Sequence, residues 1–280
     1  MKQNLFVILV TMFSFVLVIA IVAFCCIWYY IGFPKGVGEN KVSYKEKEVH
    51  VEYDDINLYG KVLIPIKEGK CPLVIYAHGA ESHYDADYTT LKSLARSGIA
   101  TYAFDFYGWS KKTTGPKEGN FFKGTPRGVD DSYEKQVLNQ VIQLNHVIEK
   151  CKTFDFIDLN NIFLLGSSMG GATVATCAET HNNDIRAIVL QYPAINLNPE
   201  ALTDGARFDA NKYRKNVLIL TGSNDKITPL SLVSGLHEHY NKYQKHATRK
   251  VYEGQPHVFN GKYKVIAAQD IYEFITREEA

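Results

Sequence analysis

Apolar runs and amphipathic stretches alternate through most of this chain, and their periods predict its elements. Lys47–Tyr53 alternates apolar and polar residues, and a second run covers Ile56–Pro65 after two aspartates, so an antiparallel hairpin is expected. Pro72–His78 is a continuous apolar run, typical of a strand that is covered on both faces, and Asn161–Leu165 is predicted to be a buried strand. Further strands are predicted at Ile99–Phe104, Ile185–Tyr192, Asn216–Thr221 and Thr248–Tyr252.

The segments between these runs have helical periodicity or a helix-forming composition. They are Tyr88–Ser97, Asp131–Lys150, Ala172–His181, Ser231–Tyr243 and Tyr263–Arg277. Strands that alternate with helices are typical of an α/β fold, with a mainly parallel, doubly wound sheet covered by helices on both faces. Two connections are harder to assign. The stretch 105–129 has no clear periodicity, and the connection between Tyr192 and Asn216 leaves room for only a turn or two of helix.

The first 33 residues differ sharply in composition from the rest. No charged residue occurs between Gln3 and Pro34, and Leu5–Ile31 is almost wholly apolar, which is long enough to span a bilayer with some tilt. A cleaved signal peptide is the alternative, but its apolar region is usually about 7–15 residues and ends in small residues. This run ends in aromatic residues, including Trp28, which suit a membrane interface. The pattern favours an uncleaved single-pass anchor in the lipid bilayer.

The charges beside this segment do not settle its orientation. Only Lys2 precedes it, whereas several lysines follow it, and a literal count places the large domain in the cytoplasm. Long domains can translocate despite such charges, and glutamates are interspersed, so the side of the membrane stays open. The predicted organisation is an anchor at 1–33, a polar linker at 34–46 and one large α/β domain at 47–280.

Overall composition narrows the class of protein. The chain has 280 residues, of which 46% are hydrophobic, and a formal net charge of +1. This suits one sizeable domain with an appendage, and it gives no basic face for nucleic acid. The cysteines form neither a disulfide framework nor a zinc-binding spacing. We therefore expect no metal, no organic cofactor and no nucleic-acid partner, and the sequence does not indicate the oligomeric state.

The most informative motif is Gly166-Ser167-Ser168-Met169-Gly170-Gly171, which fits the pattern Gly-x-Ser-x-Gly. It lies between a predicted buried strand and a small-residue helix. A serine in a sharp strand-to-helix turn is strained and exposed, and glycines beside it avoid clashes. The pattern predicts Ser168 as a nucleophile.

Two further side chains occupy the places that a serine nucleophile requires. A serine hydroxyl needs a base to remove its proton, and that base needs an acid to orient it. Asp225 follows the strand at Asn216–Thr221, and His257 follows the strand at Thr248–Tyr252. Sites in open α/β sheets are built at the carboxyl ends of strands, and the order serine, acid, histidine is that of α/β-hydrolases. We expect Ser168, Asp225 and His257 to form a catalytic triad.

An oxyanion hole requires two backbone N–H groups aimed at the developing negative oxygen. One donor is expected from Met169, which follows the nucleophile at a helix N-terminus. The other is expected from Ala80, in the loop after Pro72–His78. His78 is expected to fix this loop by hydrogen bonding and not to transfer protons.

Taken together, His78-Gly79-Ala80, Asp105-Phe106-Tyr107-Gly108, the motif at Ser168 and the loops at Asp225 and His257 resemble the α/β-hydrolase superfamily. Within it, the chain is similar to the monoacylglycerol lipase, lysophospholipase and serine-aminopeptidase-like group and to the cinnamoyl and feruloyl esterases. The resemblance covers about Lys47 to the C-terminus and implies an α/β-hydrolase fold with the triad and oxyanion donors named above. The chain departs from the family in a shorter loop at Gly108-Trp109-Ser110 and in having little or no cap domain.

These residues predict a serine hydrolase that cleaves carboxylic esters through an acyl-enzyme. Small or medium acyl esters, including lipid-derived ones, are the expected small-molecule substrates, and Glu81, Trp109 and Tyr192 are the candidate substrate rim. A serine peptidase or aminopeptidase and a thioesterase remain alternatives, because the same constellation cleaves amides and thioesters. A catalytically silent scaffold used for binding is a third alternative, which the presence of all three triad residues disfavours.

Overall fold

The computed structural model describes Val37 and residues 41–108, 112–115, 133–195, 209, 212–242 and 246–279. Within these ranges eight strands form one sheet in the order β1-β2-β4-β3-β5-β6-β7-β8. The pairings β1–β2 and β2–β4 are antiparallel and the others parallel. The strands are β1 (Tyr44–Tyr53), β2 (Ile56–Pro65), β3 (Cys71–Ala77), β4 (Ala100–Phe104), β5 (Ile157–Ser167), β6 (Ala187–Gln191), β7 (Asn216–Gly222) and β8 (Ala247–Tyr252).

Five helices cover both faces of this sheet in the described ranges: α1 (Tyr88–Arg96), α2 (Tyr133–Lys152), α3 (Met169–Ala178), α4 (Leu230–Asn241) and α5 (Lys262–Glu279). Residues of α2, α3 and α4 join the apolar core on one face, and residues of α1 and α5 join the core on the other. Alternate residues of the central strands point to the two cores; Ile75 packs on the first face and Val74 on the second. The predicted α/β-hydrolase fold with a mainly parallel, doubly wound sheet is confirmed.

The folded domain begins earlier than the sequence predicts. The polar composition of residues 34–46 predicts a linker, but β1 starts at Tyr44, and Val42 N donates to Arg96 O at 2.8 Å. Val37 is only 3% exposed, and Ser97 Oγ donates to its carbonyl oxygen. These are mostly backbone contacts, which side-chain composition does not reveal. The boundary at residue 47 is therefore corrected, and the chain already packs on the domain at Val37.

The parallel strands align their carboxyl ends at one edge of the sheet. Ser167 at the end of β5 pairs with Gln191 of β6, and Gln191 pairs with Leu220 of β7. A Cβ at Gly222, the last residue of β7, would lie 2.1 Å from the carbonyl oxygen of Gln255. The chain after β8 therefore passes close to the end of β7. This packing brings the loops after β5, β7 and β8 together.

Several sequence predictions fall on residues outside the described ranges. The predicted anchor at 1–33 lies there, as do residues 109–111 and 116–132 of the long loop after β4. Most of the connection between β6 and β7, where little or no cap is predicted, also lies there. Among the described helices, none is both long and apolar enough to cross a membrane.

Candidate active site

Ser168 occupies a strained turn between β5 and α3. Its φ is 55° and its ψ is −118°, a conformation that costs a non-glycine residue about 1–3 kcal/mol. Two hydrogen bonds from outside α3 hold it: Ser168 N donates to Gln191 O at 3.0 Å, and Ala194 N donates to Ser168 O at 3.0 Å. The strained turn predicted from the motif is present, and Ser168 is partly exposed at the edge of the sheet.

Glycines make this turn sterically possible. A Cβ at Gly166 would lie 2.3 Å from the carbonyl oxygen of Gly170, across the turn. A Cβ at Gly170 would lie 2.1 Å from Ala77 O and 2.5 Å from His78 O. These neighbours are backbone atoms that cannot rotate away, so the first turn of α3 can pack on the end of β3 only with glycine at this position.

The three side chains predicted to act together form one hydrogen-bonded series. His257 Nε2 lies 2.9 Å from Ser168 Oγ, and His257 Nδ1 lies 2.8 Å from Asp225 Oδ2. A carboxylate only accepts, so Nδ1 carries the hydrogen and Nε2 is left to accept the hydroxyl proton of Ser168. The side chain of Asp225 is fully shielded from solvent, whereas that of His257 is 13% exposed.

Asp225 has hydrogen-bond donors on both carboxylate oxygens. Its Oδ1 accepts from the backbone N–H groups of Ile227 and Thr228, each at 2.8 Å. Its Oδ2 accepts from the hydroxyl of Thr228 at 2.6 Å as well as from His257. Burial acts to raise the pKa of Asp225, but these hydrogen bonds outweigh it and hold the pKa below its ordinary value. The carboxylate therefore stays ionised beside His257.

The loop after β3 passes directly beside the nucleophile. A Cβ at Gly79 would lie 3.2 Å from Ser168 Cβ and 3.8 Å from Ser168 Oγ. Ala80, the predicted oxyanion donor, is the next residue. Met169, the other predicted donor, is the first residue of α3, so its N–H has no acceptor within the helix. Both predicted donors thus lie on segments adjacent to Ser168.

His78 holds the loop after β3 in place through hydrogen bonds inside the domain. It is fully buried, its Nδ1 donates to Gly79 O at 2.8 Å, and its Nε2 accepts from Phe106 N at 3.2 Å. Burial lowers the pKa of His78 to about 4, so the ring is neutral at physiological pH. A neutral ring has one donor and one acceptor, and both are used here. The expected role of His78 in holding the loop is confirmed by these contacts.

With this geometry established, two kinds of comparison place the chain among known proteins. The model of the family described as Serine aminopeptidase, S33 matches residues 69–208, which is half of the chain. The chain belongs to the S33 family. It is therefore a hydrolase of the α/β-hydrolase superfamily, as the sequence resemblance predicts.

Solved structures with the same fold include several enzymes that cleave esters. Est1E from Butyrivibrio proteoclasticus, solved with ferulic acid bound, is 21% identical with a TM-score of 0.66; the match covers 82% of this chain and 98% of that one. Acetyl xylan esterase 1 from a Thermoanaerobacterium species is 21% identical with a TM-score of 0.63, over 85% and 86%. The monoacylglycerol lipase of Paleococcus ferrophilus is 20% identical with a TM-score of 0.58, over 79% and 99%. At these identities the matches establish the fold.

The predicted rim residues of this S33 hydrolase differ in their surroundings. Glu81 is exposed, with a φ of 55°, directly after Ala80. Tyr192 is only 7% exposed, and its ring lies against that of His257 with a centroid distance of 4.9 Å. Tyr192 therefore packs beside the histidine ring as a buried side chain and is not an open rim residue. Trp109 lies outside the described residues, and contact of all three with substrate stays a prediction.

Sequence reasoning about this S33 hydrolase missed Thr228 and Gln191. Thr228 lies three residues after Asp225. At that spacing an aspartate accepts hydrogen bonds from the backbone N–H groups that follow it, so the sequence did carry a signal for Thr228. Gln191 is the polar last residue of the buried strand β6, where an amide needs buried partners. In the described part of the chain, no group of three His, Cys, Asp or Glu side chains could hold a metal ion.

Proposed function

We propose that this chain cleaves carboxylic esters through an acyl-enzyme formed on Ser168. The observation that carries the proposal is the series from Ser168 Oγ through His257 to Asp225, with distances of 2.9 and 2.8 Å. Both lie within the range over which a base can take a hydroxyl proton and an acid can orient that base. The strained φ of 55° at Ser168 supports the same role.

The proposed reaction runs in two halves. Ser168 Oγ bonds to the ester carbonyl carbon while its proton passes to His257 Nε2. When the tetrahedral intermediate collapses, the bond to the alkoxy oxygen breaks and the leaving alcohol takes that proton. Water then attacks the acyl-enzyme and gives a proton to His257, and release of the carboxylic acid returns the proton to Ser168. Asp225 stays ionised and stabilises the imidazolium throughout.

The oxyanion of each intermediate is assigned to the N–H groups of Ala80 and Met169. The close approach of Gly79 to Ser168, at 3.2 Å from a built Cβ to Ser168 Cβ, supports the first assignment. The position of Met169 at the start of α3 supports the second, since the helix dipole favours an anion there. Each donor would contribute about 2.7–4 kcal/mol to the transition state. The proposed reaction requires no cofactor.

The substrate class follows from the apolar surface near these loops. Ile227, two residues after Asp225, is 69% exposed, and Val258, directly after His257, is 50% exposed. Large apolar side chains exposed in the loops that carry catalytic groups favour substrates with apolar parts. Small or medium acyl esters, including lipid-derived ones, fit this surface. Glu81, Trp109 and Tyr192 are the proposed polar and aromatic contacts.

A peptidase or aminopeptidase is the second candidate. Its specific support is Glu81, an exposed carboxylate directly after Ala80, which could pair with the ammonium group of a peptide N-terminus. The description of the S33 family as serine aminopeptidases agrees with it. A thioesterase would use the same three side chains. A silent scaffold is disfavoured because the hydrogen-bonded series from Ser168 to Asp225 is complete.

The test compares purified wild-type protein with Ser168→Ala on p-nitrophenyl esters of increasing acyl length, on acyl thioesters and on aminoacyl p-nitroanilides. The proposal expects the esters to give the highest kcat/KM and Ser168→Ala to lower it by about 10⁴-fold or more. Ser93→Ala is the matched control, since Ser93 lies on α1 and its hydroxyl donates to Thr89 O within that helix. Faster cleavage of the anilides would select the aminopeptidase, and undiminished activity of Ser168→Ala would refute the proposal.

The chain is also proposed to be held in a membrane by residues 1–33, with the catalytic domain on a side that the charges leave open. The support is the uncharged run from Gln3 to Pro34. Alkaline carbonate extraction of cell membranes tests it: full-length protein should stay with the membrane, and a variant lacking residues 1–33 should be released. Release of both would contradict the anchor. Protease digestion of intact and lysed cells then identifies the side.

A further inference from the structure

The chain at the end of β6 contacts both the N–H and the C=O group of the nucleophile. Ser168 N donates to Gln191 O at 3.0 Å, and Ser168 O accepts from Ala194 N at 3.0 Å. The φ of Ser168 is 55°, and such a conformation persists only when its surroundings fix it. The position of this segment therefore helps to determine where Ser168 lies at the edge of the sheet.

A side-chain hydrogen bond joins the same two strands one residue before the nucleophile. Ser167 and Gln191 are the last residues of β5 and β6, and they lie opposite each other in the parallel pairing. Ser167 Oγ donates to Gln191 Oε1 at 2.7 Å. Ser167 is 3% exposed and Gln191 is 2% exposed, so water does not compete for this bond. The end of β5 is thus fixed to β6 by a side chain as well as by the backbone.

The pair of polar side chains interrupts an apolar surface. The side chains two and four residues earlier on each strand belong to the core between the sheet and the helices α1 and α5. They are Phe163, Leu165, Ala187 and Val189. Two apolar side chains of similar shape could fill the space of the polar pair, and such exchanges are often neutral or even stabilising. Packing alone therefore does not require a hydrogen bond at this place.

Ser167 also lies against the loop that carries a proposed oxyanion donor. A Cβ at Gly79 would lie 3.2 Å from Ser167 O and 3.2 Å from Ser168 Cβ. Ala80 follows Gly79 directly, so a movement of Ser167 changes the distance between the nucleophile and this loop. A displacement of about 1 Å at a reacting group can lower a rate by about 100-fold.

We propose that Gln191 is a positioning residue for Ser168, which acts through the hydroxyl group of Ser167. The amide oxygen of Gln191 holds the last residue of β5 against β6, and the peptide bond that follows this residue carries the N–H group of the nucleophile. This inference rests on the proposed function of Ser168, and it extends that function to a buried side chain on a neighbouring strand.

The test is a double-mutant cycle that replaces the pair by apolar side chains. Ser167→Ala and Gln191→Met each break the bond, and kcat for hydrolysis of a p-nitrophenyl ester should fall about fivefold with KM unchanged. The double variant lacks the same single bond, so its kcat should also be about fivefold, and not about 25-fold, below that of wild type. Its loss of melting temperature should be smaller than the summed losses of the single variants, because each of those leaves a buried polar group without its partner.

Val189→Ala is the matched control for a loss of stability. Val189 is 1% exposed and lies two residues before Gln191 on the same face of β6. The variant should lower the melting temperature and keep kcat within about twofold of wild type. The rate of labelling by a fluorophosphonate should follow kcat across all variants, since it reports on the nucleophile itself. If a single variant does not fold, the double variant compared with wild type and Val189→Ala still decides the test.

The inference is overturned if folded single variants keep wild-type kcat, if the double variant recovers wild-type kcat, or if Val189→Ala lowers kcat as much as they do. Losses of kcat that multiply in the double variant would also overturn it, because the two side chains would then act separately. A rise in KM at unchanged kcat would overturn it as well, because it would indicate a role in substrate binding.

Ser168→Ala is measured beside these variants. Loss of activity in Ser168→Ala, with wild-type activity in the Ser167 and Gln191 variants, would refute the positioning role and leave the proposed function standing. Full activity of Ser168→Ala would refute the proposed function itself.

Discussion

Thr228 Oγ1 lies 2.6 Å from Asp225 Oδ2 and donates its proton to it. Thr228 Oγ1 is also 3.2 Å from His257 Nδ1, so the ring N–H points towards both the Asp225 carboxylate and the Thr228 hydroxyl. Thr228 therefore helps to set both the charge of Asp225 and the orientation of the histidine. It is 2% exposed, which leaves it no partner in solvent.

Thr228→Val should lower kcat for ester hydrolysis by about tenfold, because the buried carboxylate loses a charge-assisted hydrogen bond of about 1.5–3 kcal/mol. Valine is close to threonine in shape, so packing changes little. Steady-state kinetics on one p-nitrophenyl ester measures the effect. Thr228→Ser keeps the hydroxyl and should keep kcat within about threefold of wild type. Equal activities for the valine and serine variants would show that the hydroxyl plays no part.

His78 should make the stability of the folded domain depend on pH. Burial lowers its pKa to about 4 from an ordinary value of 6.5, so between these values the unfolded chain binds a proton that the folded chain does not. Its contribution to stability is complete above pH 6.5 and is lost progressively as the pH falls towards 4. The variant His78→Gln keeps a donor and an acceptor. Its melting temperature should fall less between about pH 7 and about pH 4.5 than that of the wild type.

The control for this measurement is His83→Gln, since His83 is exposed and lies in the same loop region. It should follow the wild-type melting curve at each pH. A His78→Gln variant whose melting temperature falls as steeply as that of wild type would mean that another group causes the acid sensitivity. His78→Gln should also lower kcat, because His78 holds the loop that carries Ala80.

Gly170→Ala should destabilise the domain by about 3 kcal/mol, because its Cβ would meet two backbone oxygens. Those oxygens, of Ala77 and His78, would lie 2.1 and 2.5 Å away. Chemical denaturation measures the free energy of unfolding. Gly171→Ala is the matched control in the same helical turn, where the nearest atoms, Cα and Cβ of Pro193, lie 3.0 Å away, so a shift of a few tenths of an ångström would relieve the contact. A Gly170→Ala variant as stable as Gly171→Ala would contradict the close packing of α3 on β3.

The strands and the chain order of the three predicted catalytic residues were predictable because both leave local patterns in the sequence. Buried parallel strands are continuous apolar runs, and a strand such as β3 is buried at every position. The serine and the acid each follow such a run, and the histidine follows the more exposed strand β8, so their convergence follows from the parallel topology. The start of β5 was missed because the polar residues Asp158, Asn160 and Asn161 interrupt the apolar run there.

The supports of the site were not predictable from local patterns. Ser167 and Gln191 meet only because β5 and β6 pair side by side, and nothing in either segment marks the hydrogen bond between their side chains. Val37 is bound to the domain through its backbone carbonyl, which accepts from the Ser97 hydroxyl and which a residue of any type would supply. Such contacts depend on tertiary packing, whereas the nucleophile turn depends on glycines that the sequence displays directly.

Covalent labelling shows whether Ser168 is the nucleophile. Wild-type protein and Ser93→Ala are treated with a fluorophosphonate, and the modified residue is located by peptide mass mapping, beside Ser168→Ala. We expect a single adduct on Ser168 in the first two proteins and none in Ser168→Ala. No adduct on the folded wild-type protein, or equal labelling of Ser168→Ala, would contradict it.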